Sequence, residues 1–348
     1  MSVPAFSDIS KSANDLLSKD FYHLSAGTIE VKSNTPNNVA FKVTGKNSHD
    51  KATSGALEGK YSDKSLGKST STSTSTGRRL RKVSKQAPKL FGSMGPITVF
   101  PHTNSHGLDC SVFFDKQINL LFKLLMVYHG AGLTLTQTWN TANALDTKIE
   151  LADSLAKGLK AETIFQFLPA NNNTGAKLNL TFKQSAFHGR AFFDLLKGPT
   201  ANVDAVIGHE GFLAGASAGY DVQKAAVTGY SAAVGYVAPQ YSAAVTATDN
   251  LSVFAASYYH KVNSQVEASA KAVWNSKSGN TVGLEVASKY RLDPVSFAKA
   301  KINDRGVAAV AYNVLLRPGV TVGIGASFDT QKIDQATHKV GASFTFES

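Results

Sequence analysis

Residues 177–183 read Lys-Leu-Asn-Leu-Thr-Phe-Lys, and residues 339–347 read Lys-Val-Gly-Ala-Ser-Phe-Thr-Phe-Glu. In the first stretch Leu178, Leu180 and Phe182 alternate with Lys177, Asn179, Thr181 and Lys183. In the second, Val340, Ala342, Phe344 and Phe346 oppose Lys339, Gly341, Ser343, Thr345 and Glu347. A period of two gives an extended strand one apolar and one polar face. The same alternation runs through residues 28–32 (Ile29, Val31), 39–44 (Val39, Phe41, Val43) and 283–291 (Leu284, Val286, Tyr290). Turn-forming clusters at Asn34–Asn38, Asn171–Gly175, Lys197–Pro199, Asn275–Asn280 and Arg317–Gly319 punctuate the pattern.

Outside residues 66–131, only the start of the chain breaks from it. Over residues 3–19, Val3, Phe6, Ile9, Ala13, Leu16 and Leu17 follow helical spacing, and Lys11, Asp15 and Lys19 stand four apart on another face. The spacing predicts an amphipathic helix within residues 1–24. Beyond it, and leaving aside residues 66–131, the chain has 258 residues. At about 13–14 residues per strand and turn, that length makes roughly 19 strands. Soluble two-sheet sandwiches usually stop near about ten strands, with more charge on the wet face. So many alternating strands fit a closed membrane barrel, apolar face to lipid and polar face to water. A soluble β-rich ligand-binding protein is the rival that alternation alone leaves standing.

Composition narrows the function. The chain is 43% hydrophobic and 18% charged, which argues against disorder. No uninterrupted apolar run reaches the length of a spanning helix; the nearest, Ile118–Tyr128, carries Asn119 and Lys123. Met1–Asp20 lacks the charged start and apolar run of a secretory signal, so an intracellular location is expected and the sequons at Asn172, Asn179 and Asn250 are expected to stay unused. The single cysteine, Cys110, excludes an intramolecular disulfide framework, and the nine histidines form no metal-ligand spacing with an acid. Gly215-Ala-Ser-Ala-Gly219 has the outline of a nucleophile elbow but no helix follows it. No catalytic residue, metal site or cofactor is expected.

The net charge of +11 is local. Residues 66–131 hold nine Lys/Arg and two acids, so the rest of the chain is only mildly basic, too little to suggest nucleic-acid binding. This segment opens with the repeat Ser69–Thr76, passes through Arg78-Arg79-Leu80-Arg81-Lys82 and reaches the apolar Phe113–Tyr128. It reads as an insertion in a hairpin between strands at 25–65 and 132–348. Either it is a translated intron retained in the chain, or it is a basic arm for a membrane surface.

Several stretches together resemble the mitochondrial porins, the voltage-dependent anion channels, most of all the fungal ones. These are Pro4-Ala-Phe-Ser-Asp8-Ile-Ser-Lys11-Ser-Ala-Asn-Asp15-Leu-Leu17, Gly132-Leu-Thr-Leu-Thr-Gln-Thr-Trp139, Leu155-Ala-Lys-Gly158-Leu-Lys160 and Tyr290-Arg-Leu-Asp293-Pro294 onward to Tyr312. The resemblance implies an all-β, 19-stranded transmembrane barrel with the N-terminal helix in its pore. It implies a weakly anion-selective, voltage-gated channel of the mitochondrial outer membrane, passing small anions, ATP, ADP, NADH and other metabolites. A protein-translocase barrel of the same fold is disfavoured by the Tyr290–Tyr312 signature and the short N-terminus. By the same resemblance Lys11 and Lys19 contact nucleotide phosphates, and Val307, Ala308, Ala309 and Gly325 to Asp329 mark a nicotinamide-nucleotide site. Gln137 stands on the lipid face where animal relatives carry glutamate. Lys339, Gly341, Phe344 and Phe346 form the sorting signal read by the barrel-assembly machinery, and self-association is expected.

Overall fold

The computed structural model describes residues 2–63 and 133–348, apart from residues 37, 51, 154–155, 170–172, 197, 199, 280–281 and 336–337. Residues 66–131, with their basic run and apolar stretch, lie outside the described residues. The N-terminal segment holds a short 3-10 turn at Phe6–Asp8, the helix α1 (Lys11–Ser18) and a second 3-10 turn at Tyr22–Leu24. Nineteen strands follow: β1 (Gly27–Asn34), β2 (Val39–Asn47), β3 (Thr53–Asp63), β4 (Leu133–Asn140), β5 (Leu145–Ala152), β6 (Leu159–Leu168), β7 (Asn173–Lys183), β8 (Phe187–Asp194), β9 (Thr200–His209), β10 (Phe212–Asp221), β11 (Ala226–Val237), β12 (Tyr241–Thr248), β13 (Val253–Lys261), β14 (Val266–Asn275), β15 (Val282–Asp293), β16 (Ser296–Asn303), β17 (Val307–Arg317), β18 (Val320–Asp329) and β19 (Lys339–Glu347).

Each strand pairs antiparallel with the next, and the sheet closes where β1 meets β19. That last pairing is parallel, running from Gly27 opposite Ala342 to Lys32 opposite Glu347. In an up-and-down meander odd-numbered strands share a direction, so an odd count forces one parallel seam. Closure leaves no strand edge and gives ladder partners to the backbone around the ring.

The outward face is the apolar one. Val203, Ile207, Val234, Val245, Leu284, Ile324, Val340 and Phe344 are all exposed. They fall on one side of the sheet, as in the rows Val234 opposite Val245 and Ile324 beside Ala342. A water-soluble domain would bury such a surface; a continuous apolar belt of this extent belongs against lipid. The soluble alternative therefore falls.

The expectation of one continuous helix over 3–19 is corrected. The segment breaks at Ile9–Ser10 and again at Lys19, which is extended, and Asp20 takes a positive φ of 59°. A straight rod of seventeen residues would run roughly 25 Å. Here the apolar side chains must instead follow a curved inner wall, and the breaks let them do so.

β3 runs in the same direction as β1 and β19, so the chain leaves the barrel at Asp63 on the rim where β19 ends. An epitope tag inserted directly after Asp63 and one after Ser348 are therefore expected to show the same protease accessibility on intact organelles. Opposite accessibility would refute this strand direction.

Candidate functional site

The inner face of the barrel is the candidate site, and the sequence divides it into unlike sectors. On β5 and β6 it carries a square of charges. Lys148 reaches Glu150 at 2.6 Å and Glu162 at 3.4 Å, while Lys160 reaches Glu162 at 2.6 Å and Glu150 at 3.2 Å. On β1 and β2, Glu30 is held by Lys32 and Lys42, each at 3.0 Å. Alternation places Lys177, Lys183 and Lys289 on this same inner face.

Half-way round, the inner face of β9–β12 carries an apolar patch. Val206, Leu213, Ala233 and Ala244 are buried there beneath Val3 and Ile9, with Phe6 packed against them. The next sectors hold the rest of the N-terminal segment. Leu16 and Leu17 pack on Ala287, beside Tyr259, and Phe21 packs on Ala309 and Ala311, beside Tyr22. Each large apolar side chain so buried contributes about 1.5–3 kcal/mol relative to exposure. The seat works because its inward residues are small. A Cβ on Gly341 would fall on the carbonyl oxygens of Tyr22 and Ser25, and one on Gly325 would stand 2.8 Å from the Tyr22 amide nitrogen.

Polar groups tie the segment at both ends. His188 donates from Nδ1 to the Val3 carbonyl oxygen at 3.1 Å, beside the Arg190–Asp204 pair at 2.8 Å. At the other end the Tyr22 hydroxyl bonds Asn313, and His49 donates from Nε2 to the His23 carbonyl oxygen at 2.8 Å. The His23 ring is buried with no partner for Nδ1. Burial, with repulsion from Lys301, Lys339 and His49, holds its pKa below the ordinary histidine value.

The residues singled out from sequence are placed as follows. Lys19 pairs with Asp15 at 2.7 Å, whereas Lys11 turns to Asp8 at 3.5 Å; all four side chains keep substantial exposure on the lumen side of the segment. Hydrogen bonding to Asp15 raises the Lys19 pKa. Val307 and Asp329 stand opposite each other near one rim. Ala309 and Gly325 lie beneath Phe21 and Tyr22, and Ala308 is on the outer face, so these five do not make one surface. Gln137 lies outward between Leu135 and Trp139, across from Gly59 and Thr147. Phe344 and Phe346 point outward, while Lys339 and Gly341 point inward. Among the described residues no group of three His, Cys, Asp or Glu is placed to hold a metal.

Sequence reasoning missed the seat. Its signal was present in the Gly and Ala residues that occupy both faces of β10–β12 and the inner positions 287, 309, 311, 325 and 341. A strand facing open water has no need of such residues on its polar side.

Two outcomes follow from this packing. Gly341→Ala is expected to unseat residues 20–26, read as faster amide exchange there with barrel strands unchanged; unaltered exchange would contradict the tight contact. His23 favours seating in its neutral form, so its contribution is whole above about pH 6.5 and fades as pH falls below that value. Exchange over residues 20–26, corrected for intrinsic rates, should rise between about pH 7 and pH 5, and His23→Gln should abolish the rise.

The family model described as eukaryotic porin matches residues 2–88 and 100–341. The chain is 68% identical over 348 residues to the mitochondrial outer membrane protein porin of Neurospora crassa, covering 100% of both. It is 42% identical over 346 residues to the protein of that name in Candida albicans, covering 99% of both. It is 34% identical over 350 residues to non-selective voltage-gated ion channel 1 of Saccharomyces cerevisiae, covering 100% of both. The likeness to solved bacterial porin chains is loose, with a TM-score of 0.43 and 12% identity to a mutant of Rh. blastica porin over 60% of this chain and 89% of that one, so the strand count rests on the chain's own pairing. The chain belongs to the eukaryotic porin family and is a voltage-gated channel barrel of the mitochondrial outer membrane.

Proposed function

We propose that this channel is weakly anion-selective and passes phosphate-bearing metabolites such as ATP, ADP and NADH. The observation that carries the reading is the unequal state of the lumen charges. Glu30, Glu150 and Glu162 are each held by two lysines, and Asp204 by a bidentate arginine. A carboxylate so covered presents little field to a passing cation. Lys177, Lys183 and Lys289 add positive charge to the inner face, and Lys11 and Lys19 stand exposed in the lumen beside Asp8 and Asp15. A confined pore with low-dielectric walls amplifies a small excess of one sign. Nothing here requires a tight phosphate site; the selectivity is a summed field.

The outward Phe344 and Phe346 at the closing seam support a role in insertion by the barrel-assembly machinery. The wide apolar belt is the surface through which copies of the barrel would associate. Gln137 on that belt has an amide and no titratable carboxylate, so carboxylate chemistry at that position is absent from this reading.

Lys19→Glu changes the local charge by two units at an exposed lumen position. Reversal potentials across a salt gradient are expected to move toward cation preference. Unchanged anion preference would place the helix outside the ion path and remove the support for this reading.

A further inference from the structure

Within α1 the last carbonyl with a donor of its own is Asp15, which accepts from the Lys19 amide at 3.0 Å. The last carbonyls of a helix need donors from outside, and that end carries partial negative charge. Here the donors come from β16 on the barrel wall. Lys299 donates from Nζ to the carbonyl oxygen of Lys19 at 2.7 Å and of Asp15 at 3.4 Å. Lys301 donates from Nζ to the carbonyl oxygen of Leu17 at 3.0 Å and to the Glu285 carboxylate at 2.9 Å. The Asp20 carboxylate lies 3.8 Å from Lys299. Both ammonium groups sit over the Phe21 ring, at 4.9 and 4.8 Å from its centre. The Lys299 side chain is 2% exposed, and Phe21 with the end of α1 covers it.

We propose that Lys299 and Lys301 are positioning residues for the pore helix, a reversible latch that closes on the carbonyls of its last turn. The proposal rests on the reading that the N-terminal segment lines the conducting lumen. A lysine on a lumen wall would otherwise stand in water. Seating the helix strips that water from Lys299 and replaces it with two carbonyls, the Asp20 carboxylate and an aromatic face. Release returns water to the ammonium groups and leaves the helix end uncapped. Desolvation and new bonds nearly offset each other in such an exchange, which suits an equilibrium rather than a permanent staple. Release also bares the Lys299 charge to the lumen, while Lys301 keeps Glu285, so the latch couples the position of the helix to the field that permeating anions meet.

The test reads the fraction of helix that has left the wall. Leu17 is buried against Ala287, so a Leu17→Cys thiol is hidden while the helix is seated. In a Cys110→Ser background, reconstituted into phosphatidylcholine vesicles, its rate of labelling by an uncharged maleimide reports release. Lys299→Met is expected to raise that rate about tenfold, the scale set by taking the ammonium donor from the Lys19 carbonyl. Lys301→Met is expected to raise it as well, and Lys301→Arg, which keeps a donor and the charge, to hold it near the starting rate. A native rate in Lys299→Met, or equal rates for the Met and Arg variants at 301, overturns the latch. Asp20→Asn alters no residue of a barrel strand and is expected to raise the rate by a smaller factor; should Lys299→Met fail to insert, an unchanged rate in Asp20→Asn overturns it instead. The Lys19→Glu selectivity measurement judges the lumen reading separately. Unchanged selectivity there, with labelling still governed by Lys299, would sink that reading while leaving the latch in place.

Discussion

In lipid a backbone amide or carbonyl has no water to fall back on, and leaving one unpaired costs several kcal/mol. The whole architecture follows from satisfying those groups. A sheet that crosses a bilayer must close on itself, and with nineteen meandering strands it can close only through the parallel pairing of β1 with β19. That seam fixes which rim each connection emerges from. It also decides that residues 27–32 and 342–347, far apart in sequence, lie side by side.

Closure creates an inner wall with two jobs. One part carries charge to water: Glu30 with its lysines, and the Lys148, Glu150, Lys160 and Glu162 square. The other part gives up its polarity to hold the N-terminal segment. Val206, Leu213 and Ala233 would be odd residues for a water-filled channel, yet they are buried because Val3, Phe6 and Ile9 cover them. The segment is thus at once ligand and lining: its apolar side satisfies the wall, and its charged side replaces the wall toward solute.

The two modes of attachment differ in kind. The apolar contacts of Leu16, Leu17 and Phe21 are non-directional and accumulate with area. The polar ones, His188 to Val3, His49 to His23 and the lysines of β16 to the end of α1, fix where along the wall the segment stops. Buried polar contacts of this type set register more than they add stability, because each must first repay lost hydration. Small inward residues such as Gly325 and Gly341 then let the backbone come close enough for both modes to act.

The amino-acid sequence by itself determined the strands, their two faces and their approximate number, because a two-residue period is a local property that needs no knowledge of the partner. It also determined the amphipathic N-terminal helix and, through the Tyr290–Tyr312 stretch and its companions, the family. It could not determine where the helix lies. Lys299 and Lys301 alternate with Ala298, Ala300 and Ile302 along one strand, and only the closed barrel brings them under a helix that ends some 280 residues earlier. Likewise Ala309 and Gly325, which the family resemblance marks as part of a nucleotide site, are covered by Phe21 and Tyr22. These contacts arise from closure of the barrel, a long-range event with no local periodicity. For that reason the tertiary structure alone decided which inward residues meet solute and which meet the chain's own N-terminus.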